Sequence, residues 1–110
     1  MVHPYVFPGL KQVKGAAKSA EEIIKIVAEE FDVEIQDIFS KSRKQLYCVP
    51  RQLIMYLLRE RMGLSFVQIS NIFHVHHTTV IHACHTVKED HILHNPQVQG
   101  LILSLPPLKK

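Results

Sequence analysis

The sequence predicts an all-α fold, a compact bundle of about five helices that contains a helix-turn-helix. Three observations carry this. Apolar residues recur at helical spacing in several separate stretches. No stretch of useful length alternates apolar and polar residues as a half-buried strand would. A helical pattern of about nine residues beginning at Ser65 is followed, after a three-residue break, by a longer one beginning near His77. The 110 residues suit one domain with one core, and 46% hydrophobic residues is a globular rather than a disordered composition. The longest apolar run, Leu53–Leu58, is six residues, far short of the ~20 that cross a bilayer.

The elements follow in order. Residues 1–18 hold Pro4, Pro8, Gly9 and Gly15 without periodicity and read as a flexible arm. Ser19-Ala-Glu-Glu22 fits a capping box, and Ile23, Ile24, Ile26, Val27 and Phe31 form an apolar stripe, so a first helix is expected over about 20–31. Ile35–Phe39 reads as one short helix with Ile35, Ile38 and Phe39 on one side. Ser40-Lys-Ser-Arg-Lys44 is a polar, basic loop. A long helix is expected at roughly 46–62, with Pro50 in its first turn or just before it, since an interior proline costs about 3 kcal/mol. Leu53, Ile54, Tyr56, Leu57, Leu58 and Met62 cover most of its circumference, which makes it a central helix packed on several sides. Gly63 suits the position after its end.

Ser65-Phe-Val-Gln68 is a second capping-box pattern, opening a short helix with Phe66, Ile69, Ile72 and Phe73 facing inward. His74-Val75-His76 is long enough only for a turn. The last long helix runs from about His77 to His94, with Asn95-Pro96 as its stop. Beyond it, Val98–Leu105 reads as one or two amphipathic turns docked on the core, ended by Pro106-Pro107. The domain reading is an arm at 1–18, the helical module at 19–95 and a tail at 96–110.

Charge is distributed unevenly beneath a net +3. Residues 20–37 carry seven carboxylates against Lys25, a net −6; residues 41–61 carry six basic side chains against Glu60, a net +5. Two solvated faces of opposite sign account for this, as does a basic footprint for a polyanion with an acidic helix turned away from it. The N-terminus lacks a basic region followed by a long apolar one, so a cytoplasmic protein is expected. Cys48 and Cys84 make no disulfide framework and read as a reduced pair in or near the core.

The stretch FHVHHTTVIHACH, residues 73–85, holds five histidines and two threonines. His74, His76, His77, His82, His85 and Cys84 are zinc-ligand types. Helical spacing, however, puts Cys84 on the buried stripe with Val80, Val87 and His91, while His82 and His85 face outward. No C-x₂-C or H-E-x-x-H spacing is present, so neither a metal nor any other cofactor is expected. Ser65, Thr78, Thr79 and Cys84 have histidines nearby in sequence, but no orienting third group or pocket is legible, and no catalytic residue is assigned. In a helix-turn-helix the second helix lies in the major groove and reads base edges with its N-terminal residues. Here those are His77, Thr78 and Thr79: an imidazole, two hydroxyls, and methyl groups that can pack on the thymine methyl.

Four stretches in order, SK-x-R at Ser40–Arg43, PRQ at Pro50–Gln52, S-x-x-x-I at Ser65–Ile69 and HTTVIHAC at His77–Cys84, give residues 35–88 a further meaning. They resemble the C-terminal DNA-binding domain of the bacterial replication initiator DnaA, a Trp-repressor-like helix-turn-helix. Its signature reads DHTTVLHA. The resemblance implies that Arg43 enters the minor groove, where narrow A·T-rich stretches favour arginine. It implies that His77, Thr78 and Thr79, with His76 beside them, read bases in the major groove. It further implies that Lys41, Arg51, Gln52, Arg59 and His82 hold phosphates, as do the backbone N–H groups of Ser65, Phe66 and Val67 at a helix N-terminus.

This sequence also departs from the family. His74-Val75-His76 is one residue shorter than the commonest run, and His76 stands where the family has Asp, an acceptor suited to cytosine N4. Ser42, Gln45 and Val49 replace basic residues common in the family's loop. There is no GxxxxGK[ST] and no room for an ATPase domain, so a stand-alone module or a piece of something larger is expected. The implied partner is double-stranded DNA, with no membrane, in replication control or transcriptional regulation. The alternative is a protein-interaction module that kept the fold and uses the acidic first helix or the apolar tail.

Overall fold

A computed structural model describes residues 17–104. Its elements are α1 (Ala17–Glu30), α2 (Ile35–Ile38), α3 (Gln45–Met62), α4 (Phe66–Phe73), α5 (His77–Thr86), a π-helical turn over Val87–His91, α6 (Ile92–His94) and α7 (Pro96–Ser104). No strand occurs among the described residues, and the all-α reading stands. Of the arm expected at residues 1–18, the last two belong to α1, while residues 1–16 and the Pro106-Pro107 stop lie outside the described residues.

α3 is the central element, packing against α1, α2, α4 and α5. Leu53, Ile54, Met55, Leu57 and Leu58 are all buried. Successive residues of a helix point 100° apart, so five buried positions within six residues require neighbours on nearly every side. Ile23, Ile24 and Val27 of α1, Ile69 and Ile72 of α4, and Val80 and Val87 supply that cover. Each such side chain contributes about 1.5–3 kcal/mol by leaving water. Val98 and Leu101 of α7 join the same core, and Arg61 Nη2 donates to the carbonyl of Ile102 over 3.0 Å. No described helix is long and apolar enough to cross a membrane.

Local chemistry explains the boundaries. Gly63 ends α3 in the left-handed region (φ 68°). Its N–H donates to the Arg59 carbonyl and that of Leu64 donates back to Leu58, so these two carbonyls of the last turns are satisfied. The capping box of α4 forms in full: Gln68 N–H donates to Ser65 Oγ over 3.0 Å, and Ser65 N–H donates to Gln68 Oε1 over 2.9 Å. Such a cap stabilises by about 1 kcal/mol.

Four expectations need correction. The described part of α1 already starts at Ala17, so Ser19 lies within the helix rather than ahead of it. α3 begins at Gln45, which puts Pro50 in the second turn rather than the first. The missing N–H at Pro50 leaves the Leu46 carbonyl without its helical donor, and Leu46 is 57% exposed, so water can replace it. The helix from His77 widens to π geometry over Val87–His91 before ending at the extended Asn95. The tail forms a nine-residue helix from Pro96, the favoured first position for proline, where one or two turns were predicted.

Candidate nucleic-acid interface

Two aromatic rings bring the basic loop and the helix-turn-helix together. Phe39 follows α2 and precedes the loop; Phe73 ends α4 and precedes the turn. Their rings stack with centroids 4.6 Å apart and planes 15° from parallel. The loop and the turn therefore start from one point. Along a shared groove lie Lys41, Ser42 and Arg43 from the loop, His74 and Val75 from the turn, and Thr79 from α5. A second groove continues from Arg43 and Thr79 past Gln52 to His82 and Thr86.

The turn closes tightly. His74 adopts φ 55°, ψ 45°, and Val75 N–H donates to the Ser70 carbonyl over 3.0 Å. A left-handed residue is needed to leave α4 this way. Histidine tolerates that region better than a β-branched residue does. His76 then caps α5: its Nδ1 accepts from Thr78 N–H over 3.2 Å and lies 2.8 Å from Thr78 Oγ1. Its ring packs beside that of His77, centroids 4.4 Å apart. Val80 and Ala83 anchor the inner side of α5 in the core, and His77, Thr78, Thr79 and His82 are exposed. Arg43 and Lys41 are exposed as well.

The remaining basic and polar candidates are held within the chain. Arg51, half-buried, donates from Nε to the Ile38 carbonyl over 2.6 Å and from Nη1 to the Ser42 carbonyl over 3.0 Å. It thereby ties the loop to α2 and α3. Gln52 Oε1, which can only accept, lies 2.9 Å from His91 Nε2, so the imidazole donates and the π turn is fastened to α3. Arg59 gathers with Ser65, Phe66 and Val67 at the start of α4, outside the linings of those two grooves. It donates to the Leu64 carbonyl over 3.0 Å, with its guanidinium 4.4 Å above the Phe66 ring. There Ser65 N–H is taken by the capping box. The N–H groups of Phe66 and Val67, first in the helix, have no intrahelical acceptor.

Sequence reasoning missed three of these relationships. The Arg51 and Gln52 bonds span long sequence separations, and the His76 cap uses a residue outside the usual Ser, Thr, Asp and Asn. Among the described residues, no three His, Cys, Asp or Glu side chains are grouped so as to hold a metal ion. Cys84 is a free thiol whose pKa burial pushes up to about 11, against a smaller lowering by Arg59.

The family profile of the bacterial dnaA protein helix-turn-helix matches residues 20–87. The chain belongs to this family. Curated relatives of the dnaA helix-turn-helix agree. The chromosomal replication initiator protein DnaA of Chloroflexus aggregans is 40% identical over 73 residues, 66% of this chain and 15% of the relative. That of Nostoc punctiforme is 41% identical over 76 residues, 68% of this chain and 17% of the relative. That of Methylobacillus flagellatus is 37% identical over 78 residues, 70% of this chain and 17% of the relative. The chain thus spans less than a fifth of the length of these relatives.

Proposed function

We propose that this chain binds double-stranded DNA with sequence preference, in replication control or transcriptional regulation, and that it hydrolyses no nucleotide itself. The observation that carries this reading is the sharing of one groove by Arg43 and Thr79, at the exposed start of the second helix of a helix-turn-helix. His76, His77, Thr78 and Thr79 would meet base edges in the major groove while Arg43 reaches the adjacent minor groove. Lys41 and His82 would meet phosphates on either side, and the Phe66 and Val67 N–H groups with Arg59 would hold another. The module expected at residues 19–95 takes in the whole of α1 from Ala17, with Pro96–Ser104 docked on it. Arg51 and Gln52 contribute mainly by holding the loop and the π turn.

The test is a fluorescence-anisotropy titration on random, A·T-rich and initiator-box-like duplexes across a salt series. With about three phosphates neutralised, log K should fall with log[salt] with a slope near −2.7. A slope near zero would overturn the reading.

A second reading, a protein-interaction module that kept the fold, has one observation in its favour. Glu29, Asp32, Glu34 and Asp37 surround a groove bearing Leu46, 57% exposed, and Tyr47. A chain that ignores every duplex at low salt would favour it.

A further inference from the structure

We infer that His76 selects a base by donating a proton from Nε2–H to an acceptor on the major-groove edge, a purine N7 above all, and that it rejects cytosine at the base it faces. This rests on the proposed DNA binding and adds to it the direction of one hydrogen bond.

The argument begins at the cap of α5. A backbone N–H can only donate, and Thr78 N–H points at His76 Nδ1 over 3.2 Å. Nδ1 therefore carries a lone pair and no proton. A neutral imidazole protonated on only one nitrogen must then hold its proton at Nε2. The inner nitrogen is consumed by the helix, and the outer one is a donor. No atom of the ring remains to accept. Thr78 Oγ1, 2.8 Å from the same Nδ1, turns its hydroxyl proton inward too, so it offers lone pairs outward. The His77 ring beside His76, 4.4 Å away, restricts rotation of the imidazole. The helix thus presents a donor at His76 followed by an acceptor at Thr78, both exposed.

The major-groove edges of the bases answer differently to a donor. Guanine offers N7 and O6, adenine N7 and thymine O4, all acceptors, whereas cytosine offers only the N4 amino group. An Nε2–H facing that amino group sets donor against donor. Guanine, with two acceptors within reach of one N–H, is the best match.

Two arms test this. In the first, wild-type protein selects from a duplex library randomised over the binding site. 7-Deazaguanine or 7-deazaadenine is then placed at each preferred purine. One position should lose affinity by about three- to tenfold, the net worth of a single hydrogen bond. In the second, His76→Asp is put through the same selection. Aspartate caps a helix N-terminus well but offers only acceptors, so the fold should persist in a circular dichroism melt. Preference at that one position should move to a base carrying an amino group, cytosine or adenine. Identical selections by the two proteins, or a wild-type chain indifferent to every 7-deaza substitution, overturn the inference and leave the proposed function standing. A wild-type chain with no duplex preference at all overturns both. The first arm needs no variant, so an unfolded His76→Asp leaves it decisive.

Discussion

Nε of Arg51 donates to the carbonyl of Ile38 over 2.6 Å, so a cation on the central helix closes the end of α2. The same guanidinium reaches the Ser42 carbonyl in the basic loop over 3.0 Å. One side chain thereby sets where Arg43, one residue on, can stand. Replacing Arg51 with Ala should lower stability by about 2–3 kcal/mol, because charged hydrogen bonds to half-buried carbonyls are lost together. Urea unfolding would measure it. Lysine should rescue little, since an ammonium cannot span two carbonyls as the planar fork does. Binding to all duplexes should weaken alike. A variant as stable as wild type would contradict this role.

Thr79 makes a contrasting case. Its side chain is exposed, and its backbone N–H is held by the His76 carbonyl over 3.0 Å. Thr79→Ala should therefore leave the melting curve nearly unchanged, within about 0.5 kcal/mol. It should relax preference at one base position by about 1–3 kcal/mol while preserving the salt slope. Anisotropy on a set of single-base variants separates the outcomes. An equal loss on every sequence would make Thr79 a general contact instead of a reader.

Burial raises the pKa of the Cys84 thiol to about 11 from an ordinary value of 9.0, because the surrounding core disfavours the thiolate. The folded state thus holds this proton more tightly than the unfolded state. Its stabilising contribution is complete below pH 9.0 and disappears as pH rises through about 11. Stability should fall with pH across that window, and Cys84→Val should fall less steeply. At pH 8 only about one Cys84 in a thousand is thiolate, so alkylation should be much slower than for a free thiol. Rapid modification of Cys84 in the folded chain would contradict the burial.

Much of the fold was legible because its causes are local. The Ser65–Gln68 capping box joins residues three apart, and the left-handed Gly63 answers to steric limits on one residue. The solvent-facing side of α5 is likewise legible, since helical rotation alone separates Val80 from Thr78. Pro50 was misplaced because an exposed first turn lets water replace the helical donor, a condition that propensity does not contain. The π turn at Val87–His91 was invisible for a related reason: what fastens it is a bond from His91 to Gln52, 39 residues away.

Residue order alone determined that this chain is all-α, that its charges separate into an acidic and a basic stretch, and that an imidazole and two hydroxyls stand at the start of a surface helix. Periodicity and local hydrogen-bonding preferences act within a few residues, so they survive without knowledge of the rest of the chain. Only the tertiary structure decided that Phe39 meets Phe73 and so sets the basic loop beside that helix, that Arg51 serves the loop from within, and that His76 turns its accepting nitrogen to the backbone. Those outcomes depend on which distant surfaces bury one another, and on which polar group is nearest when they do.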